Sequence, residues 1–309
     1  MISITIENST YCGADCLTCI RKKMKNVNQN MSDEFFYSIV DKINEWNDGS
    51  IEVISLVGTG DPLMDPGFVN KIKYVKDKTN LRIHLTNTGH MLSSDILDDV
   101  CKYVDSIKIS HYGASPETYK IVHGGGVNFY DVLSNIERLL GRPDRPLVSM
   151  SFLMIDENFY EKDVWIKRWE SKCDAVDVWI PHNWAGHYKN SQGKGQAGSC
   201  GRPGKDFMIH VDGKVSVCCL DVCEDLIVGD LSHETWSDIM ESDELRRIKQ
   251  LHQCGRYDQC GICGNCDLLY DRKDALIYTS NKNMTVGKKS GLIVNRVDFG
   301  EEDVKTDNF

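Results

Sequence analysis

Ser106-Ile-Lys-Ile-Ser110, followed by His-Tyr-Gly-Ala-Ser115-Pro116-Glu117-Thr-Tyr-Lys120, reads as a strand that turns into a helix. The first five residues alternate polar and apolar, the period of a strand. Ser115 and Pro116 then put a proline at the first helical position, where its missing N–H costs nothing. The same texture extends in both directions. Ile51–Val57 is a β-rich run closed by Gly58, Leu81–Asn87 alternates again, and Leu147–Ile155 and Val176–Ile180 follow. Ile2–Ile6 adds a strand at the start. Phe35, Ile39 and Ile43 recur at i, i+4 and i+8 between strands, with Ser32 as N-cap and Asp33 and Glu34 in the first turn. Strands separated by helices imply right-handed crossovers and a parallel sheet. Six such units predict an α/β fold: a partial (β/α)6 TIM-like barrel, short of the eight units of a closed one.

Near residue 182 the texture changes. His182–Gly198 is rich in Gly, Asn and Gln and reads as a loop. Phe207–Val211, Asp212-Gly213 and Lys214–Cys218 predict a β-hairpin on a tight primed turn. Helices are expected over Glu234–Glu241, capped by Ser232, and over Glu244–His252. The predicted organisation is a barrel over 1–185, a small α+β domain over 186–275 and a polar extension over 276–309.

The 309 residues carry a net charge of −10, which argues against a nucleic-acid or anionic-membrane surface. The N-terminus lacks the basic and apolar regions of a signal peptide, and no apolar run approaches a membrane span. A cytoplasmic protein follows as the expectation. Thirteen cysteines are many for a reducing compartment, where clustered thiols point to metal or redox chemistry. They cluster at 12–19, 200–223 and 254–266. Cys101 and Cys173 stand apart and are expected to be small buried hydrophobes.

Cys12-Gly-Ala-Asp-Cys16-Leu-Thr-Cys19 is a C-x3-C-x2-C run directly after a strand. Three thiolates on one loop can hold three irons of a 4Fe–4S cluster and leave the fourth open. An open iron can bind the amino and carboxylate groups of a methionine moiety and pass one electron into the adjacent sulfonium. The alternative is a structural zinc site, which prefers four ligands in paired C-x2-C units.

With these residues the chain resembles the radical S-adenosylmethionine (SAM) superfamily. Gly58-Thr-Gly60-Asp61-Pro62 looks like that family's Gly-Gly-Glu-Pro motif, which holds the SAM amino group, with Asp61 in place of the usual Glu. Thr86-Asn87-Thr-Gly89 resembles its strand-end Thr-Asn-Gly. Ser110 matches a frequent serine that contacts the SAM ribose or carboxylate. The resemblance thus implies Gly58, Gly60, Asp61, Asn87 and Ser110 as SAM-binding residues, all at C-terminal strand ends. Thr18 stands where the family often has an aromatic residue near adenine.

Cys200 and Cys218, then Cys254, Cys260, Cys263 and Cys266, are similar to the twitch or SPASM extension of that superfamily, in which four thiolates hold an auxiliary 4Fe–4S cluster. The implied ligands are Cys200, Cys218, Cys263 and Cys266, with Cys260 and Cys263 as the competing pair. The absence of further cysteines after Cys266 favours the shorter, single-cluster twitch form, and Cys219, Cys223 and Cys254 leave a second auxiliary cluster conceivable. Zinc remains an alternative here too. In epimerases of the superfamily a cysteine near the auxiliary cluster returns a hydrogen atom to the substrate radical, and Cys219 and Cys254 are the candidates for that role.

The resemblance implies reductive cleavage of SAM to a 5′-deoxyadenosyl radical and abstraction of a substrate C–H hydrogen, with flavodoxin or ferredoxin as reductant. Epimerisation or oxidation of an aminosugar- or aminocyclitol-like small molecule is the expected outcome. The short segment before Cys12, with no room for a leader-binding domain, tilts the expectation that way. A peptide-modifying epimerase or maturase is the alternative, and a non-catalytic iron–sulfur or zinc module is the rival from another class. Trp179, His182, Asn183, Trp184 and His187 are expected around the substrate pocket.

Overall fold

The computed structural model describes residues 2–188, 196–270 and 275–280. Six parallel strands come first: β1 (Ile2–Ile6), β2 (Ile51–Leu56), β3 (Arg82–Asn87), β4 (Ser106–Ser110), β5 (Leu147–Leu153) and β6 (Ala175–Trp179). They lie in sequence order, each paired in parallel with the next. Helices α1 (Asp33–Trp46), α2 (Phe68–Lys78), α3 (Ser94–Tyr103), α4 (Pro116–His123), α5 (Phe129–Leu140) and α6 (Lys162–Trp169) form the crossovers. This is the six-unit partial barrel expected from the alternation.

The period of two decides which residues meet the helices. Ile4, Ile6, Ile54, Leu56, Ile83, Leu85, Ile107 and Ile109 are buried in the core shared with the helices. Their alternates Thr5, His84, Thr86, Lys108 and Ser110 line a cavity inside the barrel. On α1 the Ser32 side chain accepts the Phe35 N–H, as expected of the cap. The buried stripe is Phe36, Ile39, Val40 and Ile43 rather than one running through Phe35. Phe35 instead packs its ring on Gly213 of the distal hairpin.

The sheet continues past residue 185. β7 (Asp206–Ile209) pairs in parallel with β1, and β8 (Lys214–Ser216) and β9 (Ile227–Asp230) extend it antiparallel. β7 and β8 form the expected hairpin, but its turn differs. The Gly213 N–H donates to the His210 carbonyl, and Gly213 alone carries a positive φ, +92°. Asp212 keeps a negative φ, so the connection is an ordinary turn ending in a left-handed glycine, not a primed one. Helix α7 (Trp236–Met240) starts at Thr235, which forms a reciprocal capping box with Asp238, so Ser232 is not the cap. Helix α8 (Asp243–Gln253) is capped by Ser242. At the other edge β10 (Leu276–Thr279) pairs antiparallel with β6. Most of the expected C-terminal extension, 281–309, lies outside the described residues. Among the described residues no helix is long and apolar enough to cross a membrane.

Candidate functional site

The loop after β1 carries Cys12, Cys16 and Cys19, all three lining a cavity of about 330 Å³ at the C-terminal ends of the barrel strands. The last turn of α4 and the glycines beyond it hold this loop. Asp15 N–H donates to the His123 carbonyl (2.9 Å) and Leu17 N–H to that of Val122 (3.0 Å). A Cβ at Gly126 would strike the Gly13 carbonyl oxygen, so only glycine lets the two segments approach. Burial pushes the Cys12 thiol up to about 11 and the Cys16 thiol up to about 12, with thiol-thiolate repulsion adding to both. The loop therefore favours thiols until a cation replaces their protons, the coupling expected of a metal site.

His123, which has no signature in the sequence, orients one of these thiols. Tyr112 N–H donates to its Nε2 at 3.1 Å, which leaves the ring proton on Nδ1, 3.4 Å from Cys16 Sγ. His123 thus donates to the sulfur. Burial holds its pKa near 3, so the ring stays neutral, and it stacks on Tyr119 with centroids 4.2 Å apart.

Gly58, Gly60 and Asp61 lie across the cavity, at the end of β2. Glu7, also unforeseen, braces this turn. Thr59 donates to Glu7 Oε1 through both its N–H (2.9 Å) and its hydroxyl (3.0 Å). Burial raises Glu7 to about 7. A Cβ at Gly60 would lie 2.6 Å from Thr10 Cα and closer still to the Ser9 carbonyl oxygen, so glycine is required where the turn crosses the Cys loop. The Asp61 carboxylate is already engaged. Oδ1 accepts from Leu63 N–H (3.1 Å), and Oδ2 accepts from Thr88 N–H (3.2 Å) and Thr88 Oγ1 (3.0 Å), with His90 Nδ1 3.3 Å away. Asn87 accepts the Gly89 N–H on Oδ1 (2.6 Å), while its buried Nδ2 has no partner among the described residues. Ser110 lines the same cavity.

Trp179, His182 and Trp184 also line it. Asn183 instead ties the chain to Asn265 and Asp267, and His187 pairs with Asp225 at 3.0 Å away from the cavity lining. The Trp184 indole donates to the Thr18 carbonyl at 2.9 Å. An aromatic ring from the end of the barrel thus stands beside the position where Thr18 lacks one.

The distal cysteines gather around the buried Arg202. Its guanidinium interacts with Cys200, Cys218 and Cys219 and pairs with Asp206 at 2.6 Å. Cys263 and Cys266 both interact with Cys200, and burial pushes Cys266 up to about 12. Cys260 interacts with Cys263, His252 and Arg247. A thiol hydrogen bond from Cys263 lowers Cys260 and raises Cys263, and the His252, Cys260 and Cys263 ligand atoms lie within 4.8 Å of one another. Cys219 lines the main cavity, where Arg202 Nη1 donates to its sulfur at 3.0 Å. Cys254 is exposed at the C-cap of α8. Cys101 and Cys173 are half-buried against the core.

The donor chemistry fits the implied groups. Three thiols on one loop face a cavity beside the unpartnered Asn87 amide, and a second set surrounds a compensating cation. No curated protein matches the chain. The fold is similar to that of BtrN in complex with AdoMet and 2-DOIA, at 16% identity over 86% of this chain and 93% of that one, with a TM-score of 0.62. It is similar to native anSMEcpe with bound AdoMet, at 14% over 94% and 93%, TM-score 0.57. Streptococcus suis SuiB bound to precursor peptide SuiA is similar at 11% over 87% and 70%, TM-score 0.63. A model of the radical SAM superfamily matches residues 6–164, and one of an iron–sulfur cluster-binding domain of the SPASM type matches residues 200–267. The chain belongs to the radical SAM superfamily and carries a C-terminal SPASM iron–sulfur domain, with 4Fe–4S clusters and S-adenosylmethionine as its cofactors.

Proposed function

We propose that this enzyme epimerises a carbon of a polar, aminosugar- or aminocyclitol-like small molecule. Cys12, Cys16 and Cys19 hold the SAM-binding cluster, and Gly58, Gly60, Asp61, Asn87 and Ser110 surround SAM. Cys200, Cys218, Cys263 and Cys266 hold the auxiliary cluster. With Asp61 engaged by Thr88, the SAM ammonium is left to the main chain of the glycine turn and the edge of this carboxylate. Trp184 supplies the adenine-facing ring that Thr18 does not.

A cluster held by Cys12, Cys16 and Cys19, with SAM beside it, would supply radical abstraction of a hydrogen atom from a substrate carbon. Cys219 returns hydrogen to the opposite face: its S–H bond breaks, a C–H bond forms, and an external donor such as flavodoxin or ferredoxin supplies the electron that, with a proton, restores the thiol. The observation that carries this reading is that Cys219 lines the same cavity as Cys12, Cys16 and Cys19, while Arg202 fixes its sulfur. The barrel over 1–185 and the domain over 186–275 then act on one substrate from two sides, in a cytoplasmic setting.

Anaerobic reconstitution tests the reading. About eight irons per chain and 5′-deoxyadenosine on addition of SAM and dithionite are expected. Turnover in deuterium oxide should place one deuterium in the product, lost in Cys219→Ala. Four irons or fewer without SAM cleavage refutes the enzyme with two clusters. Turnover without deuterium uptake refutes the epimerase, and uptake unaffected by Cys219→Ala refutes Cys219 as the donor.

A further inference from the structure

Whereas the interior of a closed eight-stranded barrel is filled by branched apolar side chains, Thr5, His84, Thr86, Lys108 and Ser110 bring polar groups into this lumen. Most of its polar groups satisfy one another. His84 Nδ1 meets Ser106 Oγ at 2.9 Å and its Nε2 meets Thr86 Oγ1 at 3.3 Å. Burial, with the nearby charge of Lys108, holds His84 near 3 and therefore neutral. Lys108 itself is the exception. Its register places it between Thr86 on β3 and Ser149 on β5, and its side chain lines the cavity. Its Nζ stands 5.6 Å from the centroid of the Trp179 ring. Among the described residues this ammonium has no hydrogen bond or ion pair. The facing carboxylate, Asp177 on β6, acts on it only at longer range, and its Oδ1 accepts the Thr279 hydroxyl at 2.5 Å.

Beyond the Trp179 ring and the distant Asp177, this ammonium meets only the cavity, and an oxyanion is the natural complement of a cation placed there. We infer that Lys108 anchors an anionic oxygen group of the substrate, a carboxylate or a phosphate ester, inside the barrel. The inference rests on the proposed small-molecule reading and narrows it to a sugar- or cyclitol-like compound with an acidic substituent. Depth sets Lys108 apart from the SAM residues other than Ser110, its neighbour on the same face of β4. Gly58, Gly60, Asp61 and Asn87 sit at or beyond the strand ends, while Lys108 lies two residues below the end of β4. Trp179 flanks the ammonium and offers an apolar face to ring C–H groups.

The SAM carboxylate has the same chemistry, so the test separates the two sources. Calorimetric titration of the reconstituted, SAM-loaded enzyme compares glucosamine 6-phosphate with glucosamine, and glucuronate with glucose. An anionic member should bind at least tenfold more tightly than its neutral counterpart. Lys108→Met and Lys108→Gln should each abolish that preference while the SAM affinity of the same preparations stays within twofold. Three results overturn the inference: no anionic compound binding more tightly than its counterpart, a preference that survives both substitutions, or SAM affinity falling in parallel. Failure of the proposed reaction would show separately, as absence of 5′-deoxyadenosine with dithionite, a measurement that does not enter the binding comparison.

Discussion

His123→Phe isolates one hydrogen bond to the N-terminal cysteine triad. Phenylalanine keeps the stack on Tyr119 but removes both ring nitrogens, and so the acceptor for Tyr112 N–H and the donor to Cys16 Sγ. A buried N–H left unpaired costs about 1–3 kcal/mol, and in a chain of this size each kcal/mol lowers the melting temperature by about 1.5 °C. The donor acts on the cluster separately. Hydrogen bonds to cluster sulfurs favour the more negative, reduced state, and so tune the potential. A difference of about 1 kcal/mol between oxidation states is about 40 mV for one electron. The variant should therefore hold its N-terminal cluster at a potential about 40 mV lower. The assay is an anaerobic redox titration followed by electron paramagnetic resonance, in a background in which Cys263→Ala and Cys266→Ala remove the auxiliary signal. An unchanged potential with a lowered melting temperature would refute the assigned tautomer, leaving His123 as packing only.

Gly60→Ala forces a methyl group onto the backbone of Ser9 and Thr10, so it should weaken SAM binding at least tenfold by equilibrium dialysis. Glu7 carries a pH dependence whose sign follows from its raised value. A carboxyl that titrates near 7 when folded and at 4.5 when unfolded stabilises the fold less as pH rises from about 4.5 through 7. Urea denaturation of metal-free protein at about pH 5.5 and about pH 8 should show that loss, and Glu7→Gln, which keeps an accepting oxygen for Thr59, should flatten it. Cys266→Ser should lower iron content by about four per chain, while Cys260→Ser should leave it unchanged, because Cys266 interacts with Cys200 and Arg202 whereas Cys260 faces His252 and Arg247. The reverse pattern in iron analysis would move the ligand pair to Cys260 and Cys263.

The strand and helix order was legible in the sequence because it is a local property. A period of two in Ser106–Ser110 and a proline after Ser115 act through neighbouring dihedrals and one-sided burial, and they need no distant partner. The Cys12–Cys19 spacing was legible for the same reason, since three ligands on one loop are close whatever the rest of the chain does. The turn at Gly213 departs from the primed turn expected because Asp-Gly suits two geometries, and packing of Phe35 on that glycine from α1 accompanies the one adopted. Glu7, His123, Arg202 and Lys108 had no local signature. Each owes its meaning to residues far along the chain: Glu7 to Thr59, His123 to Cys16, Arg202 to Cys219, and Lys108 to Trp179 and Asp177. The difference between Cys219 and Cys254 is of this kind as well. By itself the sequence determined the elements, their order and the metal-binding character of the cysteines, because spacing and periodicity are carried by covalent neighbours. Only the tertiary structure decided which thiol faces the cavity and which lysine waits in the barrel, because charge and burial depend on side chains brought together from different strands.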